Sequence, residues 1–277
     1  KLEQNPPQKE KPLKIVKMGK IIYPLREGEA YLVAAGQTAF TEAVAPNPNI
    51  PELKDLSPDE RKKVVEAGHM AVMYVDKGGE VRVSEADWSG VTDKPLKESH
   101  LYKVRGSING IYGFKNADSE KIIQGSKLDA EKNIGWFFRP VDPSGAGLWN
   151  GLMGKDYDSY RSCVSHVCSL GSYGGVNLNE DLTYLPPRSG SLPQLQKYVE
   201  SYGFPSSGNG LSSSKSIATM LKVGIETQVG KTPELATPSQ VIYGGLTNGL
   251  IEEIKPITKK EATNLVAQEK CPPNQIC

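Results

Sequence analysis

The run His69 to Val75 (HMAVMYV), the turn Asp76-Lys77-Gly78-Gly79 and the run EVRVSE behind it limit most what this chain can fold into. Two β-rich segments flank a turn whose glycines tolerate positive φ, which specifies an antiparallel hairpin. Apolar stretches from Leu13 to Leu25 and from Glu29 to Ala35, bounded by Pro24 and Gly28, read as earlier strands. Segments at 101–105 and near 108–114 read as later ones. Between the two sets, after the loop APNPNIPEL, Ser57-Pro58-Asp59-Glu60 starts a helix. Ser is the N-cap, Pro takes N1, and Glu at N3 closes a capping box over DERKKVVEA, which stops at Gly68. ADSEKIIQGSKLDAEK (117–132) reads as helical, although Gly125 is a poor helix former. A glycine-rich loop, DPSGAGLWNGLMG, leads to YDSYRSCVSHVCSLGS, a short helix expected to end at Gly171. Further helices are expected at 192–202, 213–223 and 237–247. Strands followed by helices around one cysteine define an α+β chain.

Composition narrows the function. The 33 Lys and Arg balance 32 Asp and Glu, so a net charge of +1 gives no bulk attraction for nucleic acid or anionic lipid. No apolar run approaches the roughly 18 residues of a membrane span. With 28 Gly and 20 Pro in 277 residues, the chain stays below the roughly 25–30% of low-complexity sequences. Residues 1–12, Pro- and Lys-rich, read as a flexible tether ahead of one domain over 13–277. They contain no signal-peptide core, and a first residue other than Met is expected of a chain cut from a longer one. No CxxC pair or His–His spacing suggests zinc, and no cofactor is expected. Cys271 and Cys277 could close a small terminal disulfide loop, as in an oxidising compartment. Cys163 and Cys168, five apart on one helix, point about 140° apart and should not pair.

Cys163 is the candidate nucleophile. In Arg161-Ser162-Cys163-Val164-Ser165-His166 it stands where a helix begins, with Ser162 as N-cap. A helix N-terminus favours the thiolate, and its N–H groups can hold an oxyanion. The competing reading is a core cysteine beside Val164 and Val167. A thiolate nucleophile needs a base. His166, three residues on, is read as a packing or capping residue, and His100 in KESHLYKV as solvent-exposed. His69, opening a strand after Gly68, is the better base, the alternative being a structural histidine at a sheet edge. A three-residue hairpin loop places Glu85 opposite His69 to orient the imidazole; a two-residue register brings Ser84 near instead, opposite Ala71. Trp88, Trp136 and Trp149 are groove or core candidates. Gly106 to Gly110, Gly145 to Gly147 and GNGLSSSKS read as turns and surface loops.

The strand GHMAVMYVDKGGEV, followed about ninety residues later by SCVSHV opening a helix, resembles the circularly permuted papain-like cysteine hydrolases, relatives of NlpC-type cell-wall peptidases and of lecithin:retinol acyltransferase. Ala236-Thr237-Pro238-Ser239-Gln240-Val241 resembles the helix start that follows the cysteine in permuted members. YRSCVSHV with GSYGGV resembles a segment of the C-terminal toxin domains of Rhs-type polymorphic toxins. The likeness covers roughly 66–90, 156–177 and 236–246. It departs from the pattern at Ser162, where Asn or Asp is frequent, and in lacking the acyltransferases' second hairpin histidine. It implies an antiparallel sheet packed against a cysteine-bearing helix, with Cys163, His69 and Glu85 as catalytic residues. It also implies a secreted or delivered antibacterial effector that acts on peptidoglycan peptides in the periplasm or extracellular space. Partners would be a peptide or acyl substrate, with room for an immunity protein. An acyl hydrolase or transferase of the same fold and a non-catalytic binding module are the alternatives.

Overall fold

The computed structural model describes residues 11–36, 48–87, 90–105, 108–132, 134–136, 160–179 and 236–270, with isolated positions at 193, 196 and 200. Within the expected helix at 192–202 only positions 193, 196 and 200 are described, and they are helical; the expected helix at 213–223, the loops at 142–154 and 208–216, Trp88, Trp149, Cys271 and Cys277 lie outside the described residues.

The first apolar stretch is a hairpin. β1 (Leu13–Met18) and β2 (Ile21–Arg26) pair antiparallel across Gly19-Lys20, with Gly19 at φ 63°. The main sheet has six antiparallel strands: β3 (Ala30–Ala35), β4 (His69–Val75), β5 (Val81–Asp87), β6 (Gly90–Pro95), β7 (Ile108–Phe114) and β10 (Ile251–Glu253). Their spatial order is β10-β7-β3-β4-β5-β6, which leaves β3 and β4 in the middle and buried over their whole length. Two short strands, β8 (Gly135–Trp136) and β9 (Tyr160–Arg161), form a separate parallel pair.

Strand alternation sorts the apolar residues between two cores. Tyr31, Val33, Ala71, Met73 and Val83 face the β1–β2 hairpin, where Val16, Tyr23 and Leu25 complete one cluster. Leu32, Met70, Val72 and Tyr74 face the helices. These are α1 (Pro58–Glu66), α2 (Ser119–Glu131), α3 (Cys163–Tyr173) and α4 (Pro238–Thr247); α5 (Lys259–Lys270) lies against β1 and β2 instead. Both faces of β4 are therefore dry, which is why its sequence is an unbroken apolar run after His69.

Helix starts follow the side-chain chemistry read from the sequence. Ser57 and Glu60 cap α1 reciprocally, and Thr237 and Gln240 cap α4 in the same way. Two expectations need correction. Helix α3 does not end at Gly171 but runs to Tyr173 with Gly174 as C-cap; Gly171 packs at close range under the Val176 carbonyl. Residues 101–105 form a helical turn rather than a strand, because Ser99 Oγ accepts the Tyr102 N–H and Leu101 is drawn into the hairpin-side core.

Candidate active site

Helix α3 begins at Cys163. Ser162 Oγ accepts the Ser165 N–H at 3.0 Å, Ser165 Oγ accepts the Ser162 N–H at 2.9 Å, and the first ladder bond runs from His166 N–H to the Ser162 carbonyl. The amides of Cys163 and Val164 precede that ladder and lie at the positive end of the helix. The Cys163 thiol is partly exposed, whereas Cys168 is fully buried in the core.

His69 and Glu85 are brought together. His69 Nε2 lies 3.2 Å from Glu85 Oε2, with both residues buried. The hairpin register that achieves this is neither of the two expected. Val75 pairs with Val81 and Val72 with Ser84, so five residues intervene between the strands. Asp76 Oδ1 organises that longer turn by accepting the N–H groups of Gly78 and Glu80, and Gly79 takes φ 75°. Continued to the strand ends, the register sets Glu85 across from Ala71, diagonal to His69 on the same face. Ser84 points to the other face and is excluded as the orienting group.

The Glu85 carboxylate is held on both oxygens. His100 N–H donates to Oε1 at 2.5 Å and Leu101 N–H to Oε2 at 3.0 Å. Burial alone would raise its pKa, but the hydrogen bond and charge of His69, with the His100 amide, outweigh it and hold the acid below its ordinary range. An ionised Glu85 accepts from His69 Nε2–H, which makes Nδ1 the ring nitrogen able to take a proton. His100 is half-buried rather than exposed, and its ring stands edge to face with that of His69, centroids 5.8 Å apart at 73°. Ser99 was the readable sign of this turn, as an N-cap type three residues before Tyr102.

Cys163 is placed relative to this pair by two chains of contacts. The C-terminal end of α3 lies beside the start of α2, because the Gly174 carbonyl accepts the Asp118 N–H. Ser119 in turn accepts the Ala30 N–H, and Ala30 pairs with Tyr74 near the end of β4. Helix α3 thus runs in the same direction as β4. Its 11 residues span about 16 Å against about 23 Å for the seven of β4, so its first turn lies toward the His69 end. Independently, β9, two residues before Cys163, pairs with β8, which follows Ile134. The Ile134 carbonyl accepts from Val91, the partner of Ala86 next to Glu85. Helix α3 does not lie directly over His69. It packs on the Met70 face, so Cys163 and His69 approach the same end of the sheet from its two sides.

One turn along, His166 is a core residue. Its Nε2 is 2.9 Å from Ser84 Oγ, and its Nδ1 faces Asp129 Oδ2 at 3.9 Å, too far for a hydrogen bond. Asp129 Oδ1 accepts from Tyr173 and Lys132. The order Ser–His–Asp is that of a hydrolytic triad, yet all three residues are at most 1% exposed, so no substrate reaches Ser84. Burial pushes the His166 pKa down to about 4, which leaves the ring neutral. Among the described residues no His, Cys, Asp and Glu group could hold a metal ion, and no helix is long and apolar enough to cross a membrane.

Compared with protein-family models, with curated proteins and with solved structures, the chain matches none. It is a mixed α+β protein with a large antiparallel sheet and several helices.

Proposed function

We propose that the protein is a cysteine-dependent amide hydrolase with a circularly permuted papain-like arrangement, in which Cys163 is nucleophile, His69 base and Glu85 the orienting acid. The observation that carries this reading is the buried His69–Glu85 pair, fixed by two backbone amides, at the end of the sheet toward which the cysteine helix begins. A buried ion-pairing carboxylate is costly unless its hydrogen bonds are made, and here they converge on one imidazole.

The chemistry follows from the groups present. His69 Nδ1 takes the thiol proton, and the Cys163 thiolate adds to a substrate carbonyl. The amides that open α3 stabilise the oxyanion, a major source of rate enhancement in acyl transfer. The imidazolium gives its proton to the leaving amine, leaving a thioester that water, deprotonated by the same ring, hydrolyses. Glu85 stays ionised throughout.

Peptidoglycan peptides are the proposed substrate and a secreted or delivered antibacterial effector the proposed context, on the strength of the motif resemblance. Incubation with purified sacculi and, separately, with lipid extracts, each analysed by mass spectrometry, tests this. Released peptides with wild type, lost by at least about a thousandfold in Cys163→Ala and His69→Ala, are expected, since members of one catalytic unit fail together. Cleaved lipid without cleaved peptide would replace the substrate class. Release by Cys163→Ala at the wild-type rate would refute the mechanism.

A further inference from the structure

We propose that His100 is a positioning residue of this site, forming the wall that fixes the His69 imidazole and controls how readily it becomes charged. The inference rests on the hydrolase reading of His69. The segment that carries His100 is anchored on both sides: Ser99, fully buried, donates to the Leu96 carbonyl at 2.6 Å, and Leu101 is buried in the hairpin-side core. Its main chain binds Glu85, and its side chain meets His69 edge to face within the range where aromatic pairs attract. One short segment thus touches both members of the pair, the acid through amides and the base through a ring. A residue that merely filled space there would not need a rigid backbone on either side of it.

The groups that meet His69 are Glu85 and the His100 ring, with Asp87 next on that face of β5; Arg161 and Cys163, where α3 begins, belong to the other side of the sheet. Among these His100 is the one whose loss both opens His69 to water and removes a second imidazole. Both changes favour the His69 cation, because desolvation and a neighbouring like charge each disfavour it.

The test is NMR titration of the His69 ring nitrogens in wild type, His100→Ala and His100→Phe, beside the pH profile of Cys163 alkylation. His100→Ala keeps the amide clamp on Glu85, so folding is expected to survive. The His69 midpoint should rise by half a unit or more, with the alkylation profile moving with it. His100→Phe, which restores the ring contact, should recover the wild-type tautomer and part of the shift. Superimposable His69 titrations in wild type and both variants would overturn the proposal. Ordinary thiol behaviour of Cys163 in wild type would instead overturn the hydrolase reading, whatever His69 does, so the two failures are distinguishable.

Discussion

Among single residues, Glu85 is held by bonds that only an ionised acid can accept together. A Gln there offers one acceptor and one donor in place of two acceptors, so it must leave the Leu101 or the His100 amide unpaired, or face His69 Nε2–H with an N–H of its own. Glu85→Gln is expected to fold, to lose about 1–3 kcal/mol in urea unfolding, and to lose a sizeable part of the roughly 10²–10⁴-fold that a positioned acid–base group supplies. A variant with unchanged turnover would show that the carboxylate does not orient His69. His166 allows a second prediction. Folded His166 refuses a proton down to about pH 4, while the unfolded chain accepts it near the ordinary 6.5. Its stabilising effect is therefore complete above pH 6.5 and drains away as pH falls toward 4, by up to about 3 kcal/mol. Glu85, shifted the same way from a lower starting point, adds its loss only below its ordinary pKa near 4.5. Urea midpoints followed from pH 7 to 4.5 should fall steeply in wild type. They should fall less in His166→Gln, whose amide can keep the Ser84 bond without titrating. Parallel slopes would contradict a neutral buried His166.

Elements show where sequence reading succeeded and where it stopped. Helix starts were legible because caps are local: Ser57, Ser162 and Ser165 bond within three residues of themselves, and α1 and α3 begin where those residues say. The hairpin at 69–87 was legible as a hairpin but not in its register. Asp76, Lys77 and two glycines fit loops of several lengths, and Asp76 Oδ1 picks the five-residue one only once both of its amide partners are in place. That register decided whether Glu85 or Ser84 met His69. Residues 101–105 alternate as a strand does, yet long-range bonds to Glu85 and local ones to Ser99 made them a turn. Gly125 weakened the reading of α2 on propensity, and the reason for it is tertiary. A Cβ there would lie 2.3 Å from the Tyr173 ring, so α2 and α3 meet over a missing side chain. Gly125→Ala gains about 1 kcal/mol of helix propensity and costs about 1–3 kcal/mol of overpacking. A lowered urea midpoint is expected, and a raised one would mean the two helices separate freely.

At the scale of the whole molecule, the sheet divides labour between its faces. The helix side carries the main core and the buried Ser84–His166 contact, while the hairpin side carries Glu85, His69 and the amides that hold them. The sequence indicated an α+β chain and named Cys163, His69 and Glu85, because a cysteine behind an N-cap and a histidine at a strand start are local patterns. It could not show which face each would occupy, since that depends on a one-residue choice of register. Helix α3 packs on the Met70 face and His69 lies on the other, so the proposed coupling of thiol and imidazole has to pass around the end of β4. The most direct measurement is therefore of coupling between them: the rate of Cys163 alkylation by iodoacetamide against pH, read by mass spectrometry in wild type and in His69→Ala. An activated thiolate predicts reaction governed by a pKa within the range of about 3.5–7.5 in wild type, returning toward the ordinary 8.5 when the imidazole is removed. A Cys163 that titrates near 8.5 or higher in both proteins would contradict it.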